Sequence, residues 1–166
     1  MTLGLVADKI ENMTILEIKD PTTRSQICEV ILRALPNWFG IEDATRQYIA
    51  SVARLQTIAA FDGSGQLLGF LSLEYHFGVN AEIHVMGVLP VLHRQGVGRA
   101  LVEAAIESSR ARLAKFLSVK TLSPSREDAA YGKTRQFYEA IGFLKFEEFP
   151  NFWRPGNPCL ELVLTL

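Results

Sequence analysis

The sequence predicts a mixed α/β domain built around one sheet. The first observation behind this is the order of elements. Short β-branched runs and segments of helical periodicity follow as strand, two helices, three strands, helix, strand, helix, two strands. The second is the strand–helix–strand passage over residues 81 to 122, which calls for a parallel, right-handed crossover. The third is composition. A chain of 166 residues, 48% hydrophobic and 21% charged, buries a sizeable core without staples. No internal repeat, low-complexity tract or linker-like stretch interrupts it, so residues 1–166 read as one domain.

Each element has a local reason. Thr14 to Ile18 is short and β-branched, which predicts a strand. Asp20-Pro21 reads as an N-cap followed by proline at the first helical position. Ile27, Ile31 and Ala34 then recur at helical spacing, to about Leu35. Pro36-Asn37-Trp38-Phe39-Gly40 breaks that helix, and Ile41, Tyr48, Val52 and Leu55 mark a second one. Thr57 to Phe61 and Gln66 to His76 form a hairpin around the turn residues Asp62-Gly63-Ser64-Gly65, with Gly69 marking a bulge. After a turn over Phe77 to Asn80, Ala81 to Leu89 is a further strand. A glycine-containing loop over residues 93–98 opens a helix from about Gly98 to Leu113, with Leu101, Ala105, Ser109 and Leu113 on one stripe. Phe116 to Leu122 is a strand, and Ser123 to Asp128 is a polar loop. Tyr131 to Ile141 is a helix stopped by Gly142. Leu144 to Phe149 and Leu160 to Leu166 are the last strands.

Charge and cysteine usage exclude several classes. Seventeen Lys and Arg face eighteen Asp and Glu, a net charge of -1. A dedicated nucleic-acid binder carries a basic surplus, so nucleic acid is not expected as a partner. Cys28 and Cys159 lie in apolar contexts far apart, which suits buried free thiols and neither a disulfide framework nor a metal motif. Met1 to Asp20 shows no basic start leading into an apolar stretch, and no apolar run reaches the roughly 18 residues of a membrane span. The expectation is a reduced, cytoplasmic protein with no membrane partner and no metal.

The most informative segment joins the strand ending at Val88 to the helix beginning near Gly98. The first turn of a helix leaves N–H groups unpaired, and the helix dipole adds partial positive charge there, so phosphate is the usual guest. Gly96 and Gly98 lack Cβ atoms and let a diphosphate approach the backbone. Arg94 and Arg99 add charge at the rim. A purely structural turn fits the same two glycines. A dinucleotide fingerprint needs a third glycine where Leu101 stands, and the lysine of a P-loop is absent.

His93-Arg94-Gln95-Gly96-Val97-Gly98 resembles the acyl-CoA pyrophosphate loop of the GCN5-related N-acetyltransferases (GNAT), Q/R-x-x-G-x-G/A. The strand Ala81 to Val88 precedes it, as in that family. Phe137-Tyr138-Glu139-Ala140-Ile141-Gly142-Phe143 resembles the family's later F-Y-E-x-x-G-F signature. The match is strong over about residues 81 to 143, while the N-terminal third matches only in pattern. The resemblance implies a single central mixed, mostly antiparallel sheet of about six to seven strands flanked by helices. It also implies direct transfer of an acetyl group from acetyl-CoA to an amine, with no metal. Met86, Val88, His93, Arg94, Gln95, Gly96, Val97, Gly98 and Arg99 would then hold the cofactor. Two positions depart from the pattern. His93 stands where Arg or Gln is usual, and Tyr131 stands where an Asn often helps hold the cofactor arm.

Such a transfer needs a neutral amine, a donor for the tetrahedral oxyanion and a proton for the leaving thiolate. Tyr138 matches the family's tyrosine acid. A phenol ionises near about 10 and a thiol near about 8.5. An aromatic packing residue beside Phe137 is the plainer alternative. Glu82 matches a strand glutamate that acts as base in some members. Strand alternation puts Glu82, His84 and Met86 on one face, with Glu82 and His84 about 7 Å apart at Cα. That pair could share a water that takes the ammonium proton; equally, either is a paired or solvated strand residue. Glu74 is a further candidate on the neighbouring strand. Trp38 and Phe39 suit the acceptor side, and a second aromatic patch follows at Asn151-Phe152-Trp153-Arg154-Pro155. Aromatic walls suit an apolar or cationic substrate, and core or dimer-interface packing equally. The expected partner is a small-molecule or peptide amine, with a homodimer suggested by the resemblance. Two alternatives remain: another acyl donor or acceptor, and a non-catalytic CoA-binding module.

Overall fold

The computed structural model describes residues 12–166. The reading of the N-terminal leader rests partly on Met1 to Glu11, which lie outside the described residues. The described elements are seven strands and four α-helices: β1 (Thr14–Ile18), α1 (Pro21–Arg33), α2 (Glu42–Val52), β2 (Gln56–Phe61), β3 (Leu67–His76), β4 (Asn80–Val88), α3 (Val97–Ala111), β5 (Phe116–Leu122), α4 (Ala129–Ile141), β6 (Leu144–Arg154) and β7 (Asn157–Thr165). The strands form one mixed sheet in the order β1-β2-β3-β4-β5-β7-β6. β4 and β5 pair in parallel, and the β1–β2, β2–β3, β5–β7 and β6–β7 ladders are antiparallel, so the predicted parallel pairing and mostly antiparallel sheet are found. No described helix is long and apolar enough to cross a membrane.

The described residues group into two compact units. The first holds residues 12–74 together with Val85–Ser108. Its core gathers Ile27, Cys28, Ile31, Leu32 and Leu35 from the α1 region with Val52, Ala59, Phe70 and Val85. α1 starts where the sequence placed it, because the Asp20 carboxylate accepts from the Thr23 N–H at 2.7 Å and Pro21 has no N–H to leave unpaired. Gly69 sits beside an irregularity opposite Ala60 and Phe61, in agreement with the predicted bulge. A Cβ there would lie 2.7 Å from the Gly87 carbonyl oxygen, so close backbone approach fixes this glycine.

The second unit holds Tyr75–His84 and Ser109–Leu166. β5 lies between β4 and β7, with Glu82 opposite Ser118 and Lys120 opposite Glu161. α4 ends at Gly142, whose φ of 117° a side chain disfavours and whose N–H caps the helix. Both cysteines are free and buried.

Three expectations need correction. Leu113 does not continue the buried stripe of α3. The helix ends at Ala111, Leu113 turns with φ 62°, and its side chain is exposed, whereas Leu101, Ala105 and Ser109 are buried. β6 does not stop at Phe149. It runs to Arg154, so Asn151 to Arg154 belong to the strand rather than to a connection. Pro150 is tolerated because β6 is an edge strand and the pairing shifts between Phe149 and Arg154. β7 accordingly starts at Asn157, with Gly156 closing the hairpin at φ 77°. The sequence also missed the short 3-10 turn Pro90–Leu92.

Candidate active site

The loop over residues 93–98 belongs to the first unit. β4 ends at Val88, the 3-10 turn follows, and α3 starts at Val97. The backbone enters the left-handed region twice, at Arg94 (φ 63°) and Gly96 (φ 88°). Such alternation turns successive N–H groups toward one side and makes a concavity for anions. A Cβ built on Gly96 meets nothing within 4 Å, so the space over this glycine is open in the protein itself. Val97 is fully buried and anchors the first turn of α3, while Arg94 and Arg99 are exposed.

Two side chains of the loop are spent on holding it. The His93 Nε2–H donates to the Val88 carbonyl at 2.8 Å, and the ring meets Trp38 edge-on at 5.5 Å. That N–H ties the loop to the end of β4. Gln95 donates Nε2 to the Val91 carbonyl at 2.8 Å, and its Oε1 is buried without a partner among the described residues. Trp38 and Phe39 are half-buried against the core of the first unit, and Phe39 also meets Tyr48 edge-on. Met86 is half-buried, and Val88 is buried.

The second unit holds Glu82, His84 and Tyr138. β4 alternates buried odd-numbered and half-buried even-numbered residues from Ala81 to Met86, so Glu82 and His84 share the expected face. Glu82 Oε2 accepts from the Lys120 ammonium at 2.8 Å and lies 3.0 Å from His76 Nε2. Lys120 also lies 3.6 Å from Glu161 and 5.6 Å from the centre of the Phe152 ring. Burial alone would lower the Lys120 ammonium. The hydrogen bond to Glu82, with the charges of Glu82 and Glu161, offsets this and holds it above its ordinary value. The structure therefore gives Glu82 two partners, His76 and Lys120, that sequence reasoning missed. The signal was partial. His76 ends β3 at a hairpin turn, but which β5 residue faces Glu82 depends on a parallel register that spacing does not reveal.

Tyr138 is buried, with its ring 5.1 Å from Phe137 and 5.3 Å from Phe143. Burial, and then the neighbouring Tyr131, push its phenol well above the ordinary range. Such a group keeps its proton and can only give it up to a strong base close by. Tyr131 stands in the first helical turn, where its N–H bonds to the Asp128 cap at 3.0 Å. Among the described residues no group of side chains suits a metal ion.

Comparison with known proteins adds to this geometry. Residues 53–145, more than half of the chain, match the family model of the acetyltransferase (GNAT) domain. No curated protein sequence matches the chain. Among solved structures, a GNAT family acetyltransferase from Elizabethkingia anophelis with acetyl-CoA bound is similar at 19% identity and a TM-score of 0.72. That match covers 94% of this chain and 99% of the other. The ribosomal-protein-S18-alanine N-acetyltransferase from Escherichia coli is similar at 19% identity and a TM-score of 0.71, over 92% and 93% of the two chains. The aminoglycoside 6'-N-acetyltransferase from Enterococcus faecium is similar at 18% identity and a TM-score of 0.69, over 92% and 96%. At these identities the likeness is one of fold, while the family model also spans the glycine loop, Glu82 and Tyr138. The chain belongs to the GNAT acetyltransferase family.

Proposed function

We propose that this protein moves the acetyl group of acetyl-CoA directly to a primary amine of a small molecule or peptide. The observation that carries the reading is the open, left-handed turn at Gly96 leading into α3, within the matched GNAT domain. Acetyl-CoA fits that place by its chemistry. Its diphosphate needs N–H donors that no side chain shields, and Gly96, Val97 and Gly98 supply backbone N–H groups at a helix start. Arg94 and Arg99 add positive charge from the exposed rim, and Met86 and Val88 line the strand leading to the loop. A net charge of -1 is compatible, because the attraction is local. The amine acceptor is supported by two of the similar structures, one an aminoglycoside 6'-N-acetyltransferase and the other a ribosomal-protein-alanine N-acetyltransferase.

Acetyl-CoA supplies the activated carbonyl. Tyr138 donates a hydrogen bond to the departing sulfur, a role for which a phenol that burial holds protonated is suited. The acceptor's ammonium proton leaves toward the polar face of β4, where Glu82 and His84 stand. Trp38 and Phe39 form an aromatic wall on the acceptor side. Calorimetry with acetyl-CoA and with NAD tests the cofactor, with binding expected for acetyl-CoA alone. Thiol release from acetyl-CoA, measured with ethanolamine, tyramine, spermidine, an aminoglycoside and a peptide beginning with alanine, tests the transfer. Release with at least one of these amines is expected; acetyl-CoA binding without release from any would leave a non-catalytic CoA-binding module.

A further inference from the structure

We propose that His76 is the group that takes the proton from the acceptor amine, with Glu82 as the residue that positions it. The inference rests on the acetyl-transfer reading and names the base within it.

Glu82 Oε2 has two partners, the Lys120 ammonium at 2.8 Å and His76 Nε2 at 3.0 Å. An ionised carboxylate only accepts, so Nε2 must carry the hydrogen. In a neutral imidazole that leaves the lone pair on Nδ1. Among the described residues Nδ1 has no hydrogen-bond partner. The carboxylate thus fixes the tautomer and the ring plane, as an acidic residue does for the histidine of a catalytic triad.

Access points the same way. The Glu82 side chain is 14% exposed and the His76 side chain 36% exposed. Glu82 Oε2 already takes two donors and the carboxylate is the more buried group, whereas the imidazole offers Nδ1 on the more exposed side chain. Imidazole is also the side chain whose unperturbed ionisation falls between pH 5 and 8, where a general base is most effective. The charged and titratable groups around the dyad are Lys120 on β5 and Glu161 on β7, the latter reached through Lys120. His84 follows Glu82 on the same face of β4, and Glu74 precedes His76 on β3. Lys120 balances the charge of Glu82, so the dyad is neutral overall when the ring is neutral.

The step balances simply. The ammonium of the acceptor gives one proton to His76 Nδ1, leaving a neutral amine and an imidazolium. The amine nitrogen forms a bond to the acetyl carbon as the carbon–sulfur bond breaks, and the second amine proton is lost to water. Water passes that proton to the departing thiolate, to which Tyr138 donates a hydrogen bond. The exposed imidazolium returns its proton to solvent.

Long-range proton–nitrogen NMR on the whole, ligand-free chain reads the tautomer. The Nε2–H form is expected for His76 in the native protein, and a mixture of forms in Glu82→Gln. An Nδ1–H form in the native protein, or no change in Glu82→Gln, overturns the dyad. The second arm follows thiol release with the fastest amine of the panel above across pH. His76→Asn is expected to lower kcat/KM about 100-fold or more. It should also abolish the acid-side fall, with acetyl-CoA affinity by calorimetry within about threefold. Glu82→Gln is expected to keep the fall, because the imidazole still takes the proton. A fall that persists in His76→Asn and vanishes in Glu82→Gln makes Glu82 the base and overturns the proposal. If His76→Asn does not fold, the native protein and Glu82→Gln still decide the tautomer. Absence of thiol release by the native protein with every amine removes the acetyl-transfer reading, and His76's role with it, while the tautomer still reports the dyad.

Discussion

The loop over His93–Gly98 and the cluster around Glu82 use different parts of the chain. The loop works through its backbone. Its left-handed turns and open glycine present N–H groups, while the His93 and Gln95 side chains hold the loop itself. The cluster works through side chains from four strands, His76, Glu82, Lys120 and Glu161. A backbone site depends on which residues are absent, chiefly a Cβ at Gly96. A side-chain site depends on register, since each member comes from a different strand. The first kind is suited to holding an invariant diphosphate; the second is suited to moving a proton.

Four experiments can break or sharpen that contrast. The largest effect is expected at Gly96. Valine is strained at φ 88°, and its side chain fills the open space over the backbone. Gly96→Val should weaken acetyl-CoA about 100-fold or more by calorimetry, on the order of the 2.7 kcal/mol that such a factor represents. Retained affinity would remove the loop from the binding site. Next is Tyr138→Phe, expected to lower kcat by about 10- to 50-fold while acetyl-CoA affinity changes less than about threefold. Unchanged turnover would leave Tyr138 as a packing residue between Phe137 and Phe143.

A smaller effect tests how the strand leading to the loop is held. Gly69→Ala would put a Cβ 2.7 Å from the Gly87 carbonyl, an atom that cannot rotate away. A loss of about 1–2 kcal/mol is expected, seen as a fall in Tm of several degrees. An unchanged Tm would mean that β3 and β4 separate there without cost.

The smallest effect concerns alkaline pH and belongs to the second unit. Burial pushes the Cys159 thiol up to about 11, the Tyr138 phenol is raised, and Lys120 is raised by Glu82 despite its burial. All three folded values lie above the unfolded ones. Their stabilisation is therefore present at pH below about 8.5 and lost as pH rises through the folded values. Tm should fall between pH 9 and 11, and Lys120→Met should make the fall shallower by about a degree or two. An identical slope would show that the Lys120–Glu82 pair adds nothing to stability.

The two regions were also unequally legible. Asp20-Pro21, the turn at Gly142 and the alternation of Glu82, His84 and Met86 follow from local rules that act within a few residues, and each is found where expected. The glycine loop was legible for the same reason, as a strand end, a turn and a helix start adjacent in the chain. The true end of β6 was not, because Arg154 joins the strand through its partner Asn157, across a hairpin with a shifted register.

By itself, the sequence determined the order of elements, the parallel crossover and the place of the glycine loop, since all three depend on periodicity and turn chemistry within short spans. Only the tertiary structure decided that His93 ties the loop to Val88, and that Glu82 meets His76 and Lys120. The physical reason is that hydrogen bonds between strands depend on register. A slip of one residue on β5 would turn Lys120 to the opposite face and leave Glu82 with a different neighbour.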